Sequence, residues 1–264
     1  MEEFSLLVRA TLALYRDGVR DASRALAHNV WVIFLVPTYS IVLGLASRGA
    51  GGLGFLGGFL VYLVLAACSS SFLAVIAELV AHQRVRPGDL ATTFGRYLST
   101  LVSVYFIFWI IQLLLTLIAE QNGAMWWLDV AVNVGLFVLC NPLPELIYQT
   151  SRDGLGLVDD SVQFVRDNAV EWLLPVAICL VPFFTVGLSF GFAAMAKLGP
   201  SSALGFVMHS LAPWMPQSSS VASFLLPLLA SALLVWVMLF RGFLFHALNR
   251  SNRRQRIFDA RMRG

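Results

Sequence analysis

Three ionisable residues stand where long apolar runs finish: Glu78, Glu145 and Arg241. Glu145 belongs to the stretch "VLCNPLPELIYQTSRDG", in which Pro142 and Pro144 interrupt an apolar run just before charged sequence. Proline has no N–H, so carbonyls near Val138 and Cys140 lose their usual helical donors. In lipid each orphaned group costs several kcal/mol, so water, a side chain or another helix must take it. Asn141 is well placed to help. A carboxylate at a helix C-terminus also opposes the macrodipole, and Glu78 and Glu145 share that position. One arrangement answers all three: Arg241 offsets both acids, and the broken helix end lines a polar vestibule at one mouth of a bundle. The other reading is that each side chain snorkels to water alone.

Other chemistry has little to build on. A pair of glutamates can exchange protons, but no nucleophile or metal ligand set accompanies them. The chain has no Gly-rich phosphate loop, HExxH, nucleophile elbow or EF-hand pattern. His28, His82, His209 and His246 form no deep pair for haem. Cys68, Cys140 and Cys179 lie in apolar runs without a CxxC and read as small core residues. We therefore expect no enzyme, no metal and no cofactor.

The elements that must position these residues are membrane helices. Of 264 residues, 58% are hydrophobic and 12% charged, with a mean hydropathy of +0.78. Soluble domains carry about 25% charge, so this composition points to a polytopic membrane protein. Apolar runs able to cross roughly 30 Å of hydrocarbon fall at 29–47, 55–81, 98–119, 127–148, 170–196 and 222–247. Residues 1–248 thus read as a single transmembrane domain and 249–264 as a basic tail. The acidic start Met1-Glu2-Glu3 argues against a cleavable signal. Of the 18 Lys and Arg residues, all but Arg48 and Lys197 fall on one side of a six-span topology. The positive-inside rule then places both termini in the cytoplasm of a bacterial-type inner membrane.

The segments before the spans repeat weakly. "DASRALAHNVWVIFLVP" (21–37) and "DDSVQFVRDNAVEWLLP" (159–175) share Asp, Ser, Asn, Trp and Pro in the same order. "ELVAHQRVRPGDLATTFGR" (78–96) and "ELIYQTSRDGLGLVDDSVQFVR" (145–166) share a leading Glu-Leu and a closing Phe-x-Arg. The expected unit is an interfacial helix followed by a helical hairpin, used three times. The first surface helix, about 4–27, sets Arg16, Arg20 and Arg24 against Phe4, Leu7, Leu12, Tyr15, Val19, Ala22 and Leu26, a pattern for lying flat at the headgroups. The second starts after Pro87 with Asp89 as N-cap, and the third near Asp153. The tail adds Arg250, Arg253, Arg254 and Arg256; it fixes topology and can touch anionic lipid, and nucleic acid is not expected as a partner. Pro37, Pro175, Pro182 and Pro227 are candidate kinks, and 198–220 is a long outer connection with Trp214.

At "PELIYQTSRDGLGLVDDSVQFVRDN" and "RVRPGDLATTFGRYLSTL" the chain resembles a diffuse superfamily of bacterial membrane proteins, which includes the membrane domain fused to some glycerophosphodiester phosphodiesterases. In that superfamily a span ends in Pro and an acidic residue, and a short amphipathic helix then leads into the next span. The resemblance implies a six-span helical bundle; with no phosphodiesterase domain here, no catalysis carries over. Two function classes follow. One is a non-enzymatic membrane subunit that docks partner proteins, another copy of itself, or lipid through its surface helices. The other is a permease-like carrier with its vestibule at Glu78, Glu145 and Arg241.

Overall fold

Hydropathy alone requires long helices, since a lipid-embedded backbone must satisfy its own hydrogen bonds. The computed structural model describes residues 2–90, 95–121, 126–150, 152–187 and 221–250, and among them there is no strand. The helices are α1 (Glu2–His28), α2 (Leu35–Ala50), α3 (Gly54–His82), α4 (Leu98–Gln121), α5 (Trp126–Leu139), α6 (Leu143–Gln149), α7 (Leu155–Gly187) and α8 (Val221–Arg250). Short 3-10 turns, Val30–Phe34 and Pro87–Asp89, precede α2 and follow α3.

Among the described residues, five segments are long and apolar enough to cross a membrane: Val30–Ala50, Leu56–His82, Leu98–Leu115, Ala131–Gln149 and Leu228–Arg250. The protein is a multi-pass helical membrane protein. The run expected at 170–196 is helical as far as Gly187 and then leaves the described residues, as does the connection 198–220.

α3 is the central helix: every residue from Cys68 to Ile76 is buried. It packs along α2 and also touches α4, α6 and α8. Its serines supply the grip. Ser71 Oγ accepts from Tyr39 Oη at 2.8 Å, Ser69 Oγ from Tyr105 Oη at 3.1 Å, and Ser70 Oγ from the Tyr97 N–H at 2.9 Å. Three consecutive residues point in three directions on a helix, so one serine run ties α3 to α2 and to both sides of the start of α4. Deeper in the apolar layer, Gln112 of α4 donates to Asn133 of α5 at 2.7 Å, the usual use of amides between membrane helices.

α3 and α8 hold 29 and 30 residues, about 45 Å at 1.5 Å per residue, well beyond the hydrocarbon thickness. Among the described residues their large exposed apolar side chains are confined to the first half: Leu56, Phe59, Leu60 and Tyr62 on α3, Leu229 and Leu233 on α8. Beyond these, Leu73, Ile76 and Leu79 face Leu239, Leu244 and Phe245 in a core shared with Leu146, Leu157 and Trp172. One end of the bundle is therefore packed like a soluble domain.

Several expected elements differ in detail. Pro37 falls in the first turn of α2, where its missing N–H is not needed. The bend in α7 is at Asn168 (φ −127°, ψ 25°), seven residues before Pro175. At Pro87 a short turn starts from Arg86, whose N–H donates to Asp89 Oδ2 at 3.2 Å, and the helix expected after Asp89 continues into 91–94, outside the described residues. The expected fourth span is interrupted between Leu139 and Leu143.

Candidate functional site

The interruption at residues 140–142 is where the site forms. Pro144 cannot donate to the Cys140 carbonyl, and the Leu143 N–H takes its place at 3.1 Å, tightening the chain into a turn. The neighbouring carbonyls are met from other helices. Ser161 Oγ of α7 donates to the Leu139 carbonyl at 2.6 Å, and Arg241 Nη2 of α8 donates to the Asn141 carbonyl at 2.6 Å. The break turns one span end into a set of acceptors that α7 and α8 must fill.

Arg241 does more than cap. Its Nε lies 2.8 Å from Glu145 Oε1 and its Nη2 lies 2.9 Å from Glu145 Oε2, a bidentate fork in which both partners are charged. The Glu145 side chain is wholly buried and that of Arg241 is 10% exposed. The guanidinium carbon sits 5.0 Å from the centroid of the Trp172 ring, within cation–π range. Trp172 in turn donates from Nε1 to Asn141 Oδ1 at 3.0 Å. Phe164 and Phe245 pack edge-on to the Trp172 ring, at 5.3 and 6.0 Å between centroids. The result is a closed ring of interactions among α6, α7, α8 and the break, with both charges desolvated together.

Glu78 is not part of it. The expected three-residue cluster is corrected on this point: Glu78 Oε1 pairs with Arg96 Nη1 at 2.7 Å, and its other oxygen lies 3.6 Å from His82 Nε2. Glu78 is half-buried, Arg96 lies on the segment that follows α3, and a local cation therefore meets it before Arg241 can. Hydrogen bonding to Glu78 raises the Arg96 pKa further, while burial pushes the neighbouring Tyr97 phenol up. The two glutamates still occupy the same end of the bundle, because Val80 of α3 and Tyr148 of α6 both converge on Gly242 of α8. Gln149 Nε2 adds a 3.2 Å bond to the Gly242 carbonyl.

Sequence reasoning missed a second polar node at Asn29. Asn29 is buried and breaks the chain between α1 and the 3-10 turn, with φ −134° and ψ 47°. Its Nδ2 donates to the Ala25 and Gln83 carbonyls at 2.7 and 2.9 Å, and its Oδ1 accepts from the Val85 N–H at 3.0 Å. Trp31 Nε1 then reaches the Val85 carbonyl at 3.3 Å. Asn168 has nearly the same backbone angles and donates to the carbonyl four residues earlier, on Phe164. The shared Asn and Trp of segments 21–37 and 159–175 were the available signal. Each Asn stops a helix by competing for its backbone, and each Trp ties the restart to the end of another span.

The expected apolar side of α1 is divided between a protein contact and an exposed stripe. Ala22 and Ala25 are fully buried, and Gly18 lies so close to α8 that an added Cβ would come within 3.2 Å of the Phe240 ring. Trp236 of α8 donates to Ser23 Oγ at 3.0 Å, and Tyr15 Oη donates to the Glu171 carbonyl at 2.7 Å. The small residues form the contact because they let the two backbones approach. Of the residues expected on the apolar side, Ala22 is thus taken by α8, while Leu12 and Val19 stay exposed, as does Val8. Arg16, Arg20 and Arg24 remain exposed on the outer side. Arg250 ends α8 and is exposed, while Arg253, Arg254 and Arg256 lie outside the described residues.

No protein-family model matches the chain, and no curated protein or solved structure does either.

Proposed function

We propose that this chain is a non-enzymatic subunit of an inner-membrane assembly, a six-span scaffold of three hairpins with both termini in the cytoplasm. In this reading it docks partner proteins and lipid at its arginine-bearing end. The observation that carries it is the closure of the Glu145–Arg241 site. Carrier function needs polar groups that face a path and change partners. Here both side chains are desolvated, bidentate and covered by Trp172, an arrangement that fixes one conformation. What the same end leaves open to partners is the outer surface of α1 and the exposed arginines around it.

A second reading, a permease-like transporter, is favoured by one feature: the helix break between Leu139 and Leu143 offers backbone carbonyls next to an ionisable pair, as transporter sites do. Reconstitution separates the two. The scaffold reading expects the purified protein in liposomes to show no uptake or proton flux above empty vesicles. It also expects a stoichiometric partner in mild detergent that is lost when Arg16, Arg20 and Arg24 become Ala. Uptake abolished by Glu145→Gln would establish the transporter instead.

A further inference from the structure

We infer that the outer face of α1 seats in the headgroup layer of the bilayer and gathers anionic phospholipid there, an inference that rests on the scaffold reading and names one ligand of its docking end. The geometry has three parts. First, α1 has two distinct apolar faces. One is filled by α8 through Gly18, Ala22 and Ala25; the other carries Val8, Leu12 and Val19, which are 40%, 60% and 41% exposed. At 100° per residue these three lie within one narrow stripe, and none of the described residues covers it.

Second, the stripe is bordered by cations. Arg9, Arg16 and Arg20 fall on its open side and are exposed. Asp17 and Asp21 approach Arg16 and Arg20 only at 3.8 and 3.6 Å through Nε, with the arginine side chains 82% and 64% exposed. The outward guanidinium nitrogens are thus free to meet phosphate, the pairing for which a guanidinium fork is suited. An apolar stripe edged with arginines is the pattern of a helix at an anionic membrane surface.

Third, α1 is held at the bilayer edge. Only Asn29 separates it from Val30, which opens a membrane-spanning segment and is 54% exposed, as Phe34 is at 52%. Those side chains belong in lipid, so the end of α1 starts at the headgroups. The Ser23–Trp236 bond ties it there to a second spanning segment. Headgroups therefore reach this face at a local concentration that a soluble protein cannot match, which favours lipid over a protein helix as the occupant.

The test places a photoreactive benzoylphenylalanine at Leu12, and separately at Ala10 on the opposite side of α1, in the full chain. The protein is reconstituted in nanodiscs of equal phosphatidylcholine and phosphatidylglycerol. Mass spectrometry of the adducts should find phospholipid at position 12, with phosphatidylglycerol several-fold over phosphatidylcholine, and little lipid at position 10. The exposed triple variant Arg9→Ala, Arg16→Ala and Arg20→Ala should keep the lipid adduct and lose the preference. Adducts to protein at position 12, equal lipid labelling at both positions, or a preference unchanged in the triple variant would each overturn the inference. None of those outcomes touches the scaffold reading, which stands or falls on uptake by the reconstituted protein.

Discussion

Arg241 and Glu145, 96 residues apart in the chain, meet through two parallel hydrogen bonds of 2.8 and 2.9 Å in a setting that excludes water. Breaking such a pair from one side is costly because it strands a buried charge, typically about 3–5 kcal/mol, whereas removing both charges costs far less. Arg241→Ala should therefore lower the thermal stability of the detergent-solubilised protein strongly, and adding Glu145→Gln should restore part of it. Additive losses in the double-variant cycle would show that the two side chains act independently. Arg241→Lys should fall between, since an ammonium cannot reproduce the fork.

Gly242 offers a steric prediction. A Cβ there would lie 2.6 Å from Tyr148 Oη and 2.7 Å from Val80 Cγ2, so two helices would have to give way at once. Gly242→Ala should destabilise by about 1–3 kcal/mol, the usual cost of overpacking. Tyr148→Phe removes the nearer atom, and the double variant should recover part of the loss in the same thermal assay. A neutral Gly242→Ala would show that α3, α6 and α8 do not meet tightly at this point.

Asn29 serves three backbone groups from one side chain. Asn29→Ala would leave the Val85 N–H and the Gln83 carbonyl without this partner, at about 1–3 kcal/mol for each buried group left unsatisfied. The expected signature is local: faster hydrogen exchange at Val85 and at the 28–34 junction, with exchange in α4 little changed. Uniform acceleration across the chain would instead assign Asn29 a global role.

Tyr15 links α1 to α7 and supplies a pH test. Burial, aided by the negative charge of Glu171, pushes its phenol up to about 12 from an ordinary value of 10.0. The folded state then holds this proton more tightly than the unfolded one. The associated stability is complete below pH 10 and is lost as pH rises from about 10 through 12. Unfolding midpoints measured across that interval should fall more steeply for the native protein than for Tyr15→Phe. Parallel curves would remove Tyr15 from the account of alkaline unfolding.

Much of the bundle could be read before any coordinates, for a simple reason. Hydropathy and charge are carried residue by residue, and the bilayer sorts them by depth alone. Five of the six expected spans and the membrane character of the chain follow from that one-dimensional sorting, and the helix break at Pro142 and Pro144 follows from the missing proline N–H. Even the Asn and Trp shared by segments 21–37 and 159–175 are visible in order, although their hydrogen bonds are not.

What the tertiary structure decided is which groups at the same depth touch. Glu78 and Glu145 look equivalent along the chain, yet one meets Arg96 and the other Arg241; that choice depends on the rotation and lateral position of whole helices. The same holds for α1, where protein and lipid are alike in polarity, so periodicity marks an apolar side without saying which of the two covers it. Only packing showed that α8 takes Gly18, Ala22 and Ala25 and leaves Leu12 and Val19 outside, because close approach of two backbones selects small side chains rather than the most hydrophobic ones.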